Sequence, residues 1–176
     1  QPGCSDSAAG PSADAVRQAL QAAGAGPDSR VQLVGYSQGG ASVARVAASG
    51  EFDVQAVLTF GSPTGQIRLD PDVPAVLVEH SDDLVPALGG SQDNADAVVV
   101  ERRVYDDGEV PTADPVPAHL RRNYADTAHL MDDSDDQRLA ATLRGFDDLL
   151  RNAVPVASTR YEFARESVVR SASASS

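Results

Sequence analysis

The chain has 176 residues, which is enough for one domain with a hydrophobic core. Its formal net charge is −12, and all 14 of its basic residues are arginine, so nucleic acid and anionic membrane surfaces are disfavoured as partners. No apolar run reaches the roughly 18 residues that span a bilayer, and the single cysteine, Cys4, excludes an internal disulfide.

The first residues carry no targeting signal. "QPGCSDSAAGPSAD" lacks the basic and apolar regions of a signal peptide and has no initiator methionine. We expect either that a signal has been removed or that the chain is a fragment of a longer protein. The sequence therefore leaves the compartment open, and it leaves the oligomeric state open too.

The first half of the chain alternates predicted helices and strands. Ser12 is the expected N-cap of a helix over residues 13–23, because apolar residues recur there at helical spacing. Two short apolar runs, residues 31–34 and 54–60, are predicted to be buried strands. Residues 40–49 lie between them and have the composition of a helix.

The second half adds two strands and one long helix. The strands are predicted over residues 73–80 and 96–104, with a loop after the first of them. Residues 135–151 form the clearest amphipathic helix, and its apolar residues share one side: Leu139, Leu143, Phe146 and Leu150. Residues 159–165 are a further candidate strand, and "SASASS" at 171–176 is low-complexity and expected to be disordered.

This order of elements predicts the fold class. Strands that are apolar along their whole length, alternating with helices, indicate an α/β fold whose mostly parallel sheet has helices on both faces. We expect residues 1–152 to form the domain and residues 153–176 a carboxyl-terminal tail. Ligand sites of such sheets lie beyond the carboxyl ends of the strands, so catalytic side chains are expected directly after strands.

The segment "GYSQGG" follows the first predicted strand. Gly35, Ser37 and Gly39 match the G-x-S-x-G nucleophile elbow, in which a strained strand-to-helix turn exposes the serine hydroxyl. The residues two positions away must be small to avoid collision. The backbone N–H of Gln38, at the start of a helix, points toward the place where an oxyanion forms. The alternative is a glycine-rich turn that contains a serine.

Partners for this serine are found after later strands. Asp82 and Asp83 follow the third strand, and the alternative for each is a solvated or turn-capping loop acid. Among the three histidines, position favours His119 over His129 as the base, and His80 is a packed or neighbouring residue at the strand end. The order Ser, Asp, His along the chain is that of the α/β-hydrolases.

Three short blocks carry a family resemblance. "VEHSDDLVPALGG" resembles the acid-bearing segment of class 3 (fungal-type) lipases, and the match falls on Asp83. "VPAHLRRNY" resembles the segment that carries their catalytic histidine, here His119, and "FGSP" at 60–63 resembles the strand end after the elbow helix. The blocks occur in the family's order within residues 30–125.

The resemblance implies an α/β-hydrolase fold whose amino-terminal strands are missing, and a serine hydrolase that needs no cofactor and no metal. Ser37 would attack an ester or lipid carbonyl, His119 would accept its proton, and Asp83 would orient the imidazole. Two alternatives stay open: an inactive binding module with this fold, and a thioesterase or peptidase that uses the same three residues.

Three further features bear on this interpretation. In the family that the blocks resemble, the second oxyanion donor normally comes from a loop after an earlier strand, upstream of the elbow. The residues before Ser37 predict a helix but no such earlier strand, so the chain is expected to be a fragment or to build the oxyanion hole differently. Residues 64–72 are short and polar, so no long apolar lid is predicted, which favours soluble or short-chain esters. The acidic run at 131–137 lacks the spacing of a calcium-binding loop and is predicted to cap a helix.

Overall fold

A computed structural model describes residues 11–109, 114–151, 154 and 157–163. The elements are, in chain order, α1 (Pro11–Ala22), β1 (Arg30–Tyr36), α2 (Gln38–Ser49), β2 (Asp53–Phe60), β3 (Ala75–His80), α3 (Leu84–Ala87), β4 (Val98–Arg102), a 3₁₀ turn (Pro117–His119), α4 (Arg121–Asp132) and α5 (Gln137–Arg151). None of the helices among these residues is long and apolar enough to cross a membrane.

The four strands form one parallel sheet in the order β1-β2-β3-β4, with helices on both faces. Val57 and Leu77 point to the face covered by α1 and α2, whereas Ala56 and Val76 point to the face covered by α4 and α5. Because β2 and β3 are buried on both faces, the residues along their middle, 56–58 and 75–78, are all apolar and do not alternate with polar residues. The predicted α/β arrangement is confirmed at this level.

The register of the sheet brings the carboxyl ends of the strands to one edge. Tyr36, the last residue of β1, is paired with Phe60 of β2, and Phe60 is paired with Val78 of β3. His80 at the end of β3 is paired with Arg102 at the end of β4. The segments that follow these strands therefore lie close together, although they are far apart along the chain.

The start of the first helix differs from the prediction. Helix α1 includes Pro11, so Ser12 lies inside the first turn and is not the N-cap. Proline suits this position, because its missing N–H has no acceptor in the first turn of a helix. The hydroxyl of Ser12 instead accepts a hydrogen bond of 3.3 Å from the side-chain amide of Gln38.

Two strands are shorter than predicted, and one predicted loop contains a helix. β3 begins at Ala75, because Pro74 has no N–H and contributes only its carbonyl, which accepts the N–H of Val57. β4 covers five residues where nine were predicted. The loop after β3 contains the single turn of α3.

The apolar side of α5 is buried only in part. Leu139 and Phe146 are buried, and Leu143 packs against them. Leu150 in the last turn is 63% exposed and lines an open cavity beside the edge strand β1. The helical period predicted its side of the helix correctly but not its burial, since β1 is the edge strand of the sheet among the described residues.

The acidic run before α5 caps that helix, as predicted. The carboxylate of Asp136 accepts the backbone N–H of Leu139 at 2.8 Å, at the end of the helix where the N–H groups lack acceptors.

The carboxyl-terminal predictions are only partly covered by the structure. Residues 159–163 form no strand, so the predicted strand is wrong over that stretch. Residues 164–165, the low-complexity segment 171–176 and the predicted boundary at 152–153 lie outside the described residues.

Candidate active site

Ser37 occupies the sharp turn between β1 and α2 in an unusual backbone conformation. Its φ is 56° and its ψ is −134°, and it is the one non-glycine residue with a positive φ in the described part of the chain. A side chain in this region costs about 1–3 kcal/mol, which the surrounding structure must offset. The backbone N–H of Ser37 donates to the carbonyl of Phe60 at 2.9 Å, which ties the turn to the end of β2.

Glycines make this turn possible, but the two that the packing requires are not the pair Gly35 and Gly39 that the motif predicts. A Cβ on Gly35 would lie 2.4 Å from the Cα of Gly40, and a Cβ on Gly40 would lie 1.9 Å from the Oγ of Ser62. A Cβ on Gly39 would meet nothing within 4 Å. The steric requirement therefore falls on Gly35 and Gly40, and the expected requirement at Gly39 is wrong.

The structure brings the side chains of Ser37, His119 and Asp83 into one hydrogen-bonded chain. Nε2 of His119 lies 2.9 Å from Oγ of Ser37, and Nδ1 of His119 lies 2.7 Å from Oδ2 of Asp83. Along the chain, His119 is separated from Ser37 by 82 positions and from Asp83 by 36 positions. Because a carboxylate only accepts hydrogen bonds, Nδ1–H donates to Asp83, and this leaves Nε2 to accept from the Ser37 hydroxyl.

The two neighbouring acids after β3 point to different partners. The carboxylate of Asp83 is fully buried, and its Oδ1 accepts the N–H of Val85 at 2.9 Å, which caps α3. Asp82 instead accepts the N–H groups of Val104 and Tyr105, at 3.2 and 3.0 Å, and anchors the chain after β4. Asp82 therefore fits the turn-capping alternative, and Asp83 contacts the histidine.

The other two histidines have different environments. His80 is buried; its Nδ1 is 2.9 Å from the carbonyl of Ala118, and its Nε2 is 2.8 Å from the hydroxyl of Thr127. Burial lowers the pKa of His80, although the backbone carbonyl of Ala118 acts in the opposite direction. His129 is exposed on α4. His80 is thus a packed neighbour of the site, as one of the sequence alternatives proposed.

Side chains hold the turn Pro117–His119 at each of its carbonyls. The amide of Asn123 donates to the carbonyl of Pro117 at 2.8 Å, and Nδ1–H of His80 donates to that of Ala118. The hydroxyl of Tyr36 donates to the carbonyl of His119 itself. These donors come from α4, β3 and β1, so the position of the imidazole depends on three separate elements.

Tyr36 also contacts the imidazole ring directly. Its ring stacks on that of His119 with centroids 5.1 Å apart and planes inclined by 20°. Burial raises the pKa of Tyr36, and the charge of Asp83 adds to the effect, so the phenol remains protonated and donates to the His119 carbonyl. Sequence reasoning did not assign Tyr36 a role, although it stands directly before Ser37 in the motif.

Tyr124 is a second residue that the sequence reasoning missed. It lies on α4, and its hydroxyl donates to Oδ2 of Asp83 at 2.7 Å. It is the last residue of the block "VPAHLRRNY", but the resemblance of that block assigned a role only to His119. Only the packing of α4 against the sheet brings it to the acid.

One hydrogen-bond donor can be identified for the candidate oxyanion position, the backbone N–H of Gln38. Gln38 is the first residue of α2, so its backbone N–H has no acceptor within the helix and lies at the positive end of the helix dipole. Among the described residues upstream of Ser37, β1 is the only strand. These residues therefore include no loop after an earlier strand that could bring a second donor.

Two further properties of the site's surroundings are relevant to chemistry. Within the described ranges, no group of three or more His, Cys, Asp or Glu side chains is arranged to hold a metal ion. Leu84, the first residue of the short helix α3 that directly follows Asp83, and Leu88, which directly follows that helix, are 69% and 80% exposed. The rim next to the acid is therefore apolar.

Comparison of the chain with protein-family models, with curated proteins and with solved structures found no match. The interpretation of the site accordingly depends on its geometry and on the residue types that it brings together.

Proposed function

We infer that the chain is a serine hydrolase that cleaves carboxylic esters, with a fold of the α/β-hydrolase type. The observation that supports this most directly is the unbroken hydrogen-bonded chain from Oγ of Ser37 through His119 to the buried carboxylate of Asp83. The strained φ of Ser37 is a second support, because strain of this kind is characteristic of functional sites.

The reaction follows from the direction of these hydrogen bonds. Oγ of Ser37 attacks the ester carbonyl as Nε2 of His119 accepts its proton, and the resulting imidazolium gives that proton to the departing alkoxide. The acyl group stays on Ser37. Water then attacks the acyl-enzyme, with His119 again accepting and returning the proton, and the free acid leaves. Asp83 remains ionised and stabilises the imidazolium in both halves.

The negative oxygen of each tetrahedral intermediate needs a donor that is already in position. The N–H of Gln38 meets this need, because it is adjacent to Ser37 and has no intrahelical acceptor. Removing one such donor in a serine protease lowers kcat by about 10²–10³-fold, so a backbone donor of this kind accounts for a substantial part of the rate.

The substrate class follows from the rim of the site. Leu84 and Leu88 offer an exposed apolar surface beside Asp83, which suits the hydrocarbon part of an ester. Residues 64–72, in which no long apolar lid was predicted, contain no helix or strand. We therefore assign the chain to soluble esters with a modest apolar group, in preference to lipid at an oil–water interface.

Labelling with a fluorophosphonate probe tests this function directly. The wild type should form a covalent adduct at Ser37, and Ser37→Ala should abolish it. Ser81→Ala is the matched control, because Ser81 is exposed directly after β3 at the same edge of the sheet, and it should label normally. A folded wild type that does not label would contradict the proposal and favour a binding module.

A panel of p-nitrophenyl esters and thioesters with equal acyl chains tests the bond that is cleaved. We expect the higher kcat/KM for oxygen esters of short to medium chain. A preference for thioesters at every chain length would reassign the same three residues to a thioesterase.

A further inference from the structure

The carboxylate of Asp83 has a second side-chain partner besides His119. The hydroxyl of Tyr124 lies 2.7 Å from Oδ2, the same oxygen that His119 contacts at 2.7 Å. Tyr124 is 2% exposed, so water does not compete for this bond. With the N–H of Val85 on Oδ1, three donors surround the carboxylate and fix its orientation.

The direction of the Tyr124 bond is determined by a third group. The backbone N–H of His80 lies 3.2 Å from the Tyr124 hydroxyl oxygen, and a backbone N–H can only donate. The hydroxyl therefore accepts from His80, and its single proton is directed to Asp83. Burial raises the pKa of Tyr124 well above its usual value, and the bond to Asp83 raises it further, so the proton stays on the phenol.

The ring of Tyr124 is held in a closely fitted space. It stacks on the imidazole of His80 with centroids 3.7 Å apart, and its edge meets the rings of Tyr36 and Phe60. On the remaining side lies Gly61, whose φ is +57°; a Cβ there would come within 2.7 Å of the Tyr124 ring. The glycine of the "FGSP" block is thus required for the place that Tyr124 occupies.

We propose that Tyr124 is a positioning residue for the Ser37–His119–Asp83 site, which orients Asp83 and moderates the strength of its hydrogen bond to His119. This inference rests on the proposed function for its catalytic meaning. Because Tyr124 and His119 donate to one oxygen, each donor reduces the negative charge that the other meets. Tyr124 thereby tunes how strongly Asp83 stabilises the imidazolium.

The sign of the effect follows from this competition. Without the Tyr124 hydroxyl, Oδ2 carries more negative charge toward Nδ1–H of His119 and stabilises the protonated imidazole more strongly. His119 then holds its proton to higher pH and accepts the Ser37 proton less readily at low pH. The acidic limb of the kcat/KM profile should therefore move to higher pH.

Other charged and titratable groups face this cluster and must stay unchanged for the comparison to hold. They are Tyr36 from β1, His80 from β3, Asp82 from the loop after β3, Arg102 from β4 and Arg121 at the start of α4.

Tyr124→Phe is the first test, because it removes the hydroxyl and keeps the stacked ring. We expect the midpoint of the acidic limb to rise by about 0.5 to 1 pH unit, and kcat to fall about three- to tenfold with KM little changed. Tyr161→Phe is the control, since Tyr161 lies on the carboxyl-terminal segment beside α1 and should leave the profile unchanged.

A pair of glycine variants tests the same inference from the other side. Gly61→Ala should displace the Tyr124 ring and reproduce the shift in pH profile, with a larger loss of kcat. Gly50→Ala is matched to it, because Gly50 has a φ of +67° but open space around a Cβ. Both variants place an alanine at a positive φ, so they share the backbone strain. Because only the methyl group at position 61 contacts the Tyr124 ring, only Gly61→Ala should alter the pH profile.

A readout without substrate separates this inference from the proposed function. In NMR spectra, the Nδ1–H proton of His119 should move further downfield in Tyr124→Phe, since its bond to Asp83 strengthens. If the wild type fails to react with the fluorophosphonate probe, the proposed function fails, and this resonance still tests the coupling. An unchanged resonance and pH profile with only a lowered Tm, or a shift to lower pH, would overturn the inference.

Discussion

The two halves of the candidate site are built in different ways. The Ser37 corner depends on close steric contacts and on the backbone, through the approach of Gly35 to Gly40 and one backbone bond to Phe60 at the end of the neighbouring strand β2. The turn Pro117–His119 is held by side chains from β1 and β3, which lie far away along the chain, and by Asn123 of α4, which follows the turn directly.

This difference predicts two patterns of sensitivity. The corner depends on volume and backbone strain, so a single methyl group at the right glycine should disrupt it. The turn depends on several hydrogen bonds, each worth about 0.5–1.5 kcal/mol, so losing one should weaken the site by degrees. Variants at each half should therefore differ in the size of their effects and in how stability and activity are coupled.

The largest effect is expected from Ser37→Gly, which separates strain from chemistry. Activity should fall about 10⁴-fold or more, because the nucleophile is lost. The free energy of unfolding should nevertheless rise relative to Ser37→Ala, since glycine accepts a φ of 56° without strain. Ester hydrolysis and chemical denaturation of the two variants test this, and equal stability would mean that the corner stores no strain.

The next largest effect on kcat is expected from Asp83→Asn, which we compare with Asp82→Asn. An asparagine at 83 can donate to His119 and favour the wrong tautomer, so kcat should fall about 10³–10⁴-fold with the fold retained. Asp82→Asn weakens only the anchoring of Val104 and Tyr105 and should reduce kcat less than tenfold. Steady-state kinetics on the two variants decides which acid serves the site, and similar losses would contradict the assignment.

Gly40→Ala against Gly39→Ala tests the corner by volume. A methyl group at Gly40 meets the Ser62 side chain at 1.9 Å and should lower Tm by several degrees and reduce labelling of Ser37. At Gly39 the methyl group has open space inside α2, so stability should hold or rise by up to about 1 kcal/mol. Thermal melts rank the two, and the reverse order would assign the steric constraint to the motif glycine.

The smallest expected effect concerns pH and the His119 turn. Burial lowers the pKa of His80, so the folded state keeps it neutral while the unfolded chain takes up a proton as pH falls below about 6.5. The unfolded state then binds more protons, and the free energy of unfolding falls as pH drops from about 6.5 toward the lower folded value.

Urea denaturation between pH 7.5 and 5.5 measures this slope. His80→Gln should flatten it, whereas His129→Gln, at an exposed position on α4, should leave it as in the wild type. A slope that persists in His80→Gln would mean that another group takes up the proton.

Sequence patterns predicted those parts of the molecule that depend on neighbours in the chain. The runs that became β2 and β3 are apolar because both of their faces are buried, and this can be read without coordinates. The cap at Asp136 is equally local. Leu150 shows the limit, since its period placed it on the apolar side of α5 but the sheet does not extend beneath it.

The residues of the site also differ in whether a local sequence pattern indicated them. Ser37 stands in a motif whose strained turn follows from adjacent glycines, so the sequence singled it out. Position after β3 did not distinguish Asp82 from Asp83; the resemblance favoured Asp83, and the structure shows that Asp83 contacts His119 whereas Asp82 binds Val104 and Tyr105. Tyr124 lies in the block "VPAHLRRNY", but nothing in that block indicated its role, because its contact with Asp83 depends on how α4 packs against the sheet.

By itself, the sequence determined the alternation of strands and helices, the strained serine corner and the candidate residues for its partners. These depend on burial period and on steric contacts within a few residues, which are written directly in the order of amino acids. The tertiary structure decided whether the expected partners meet, with His119 against Ser37 and Asp83 against His119, and which tyrosines hold them. Those contacts exist only because parallel strands end at one edge of the sheet and α4 packs across it, joining side chains that no local pattern relates.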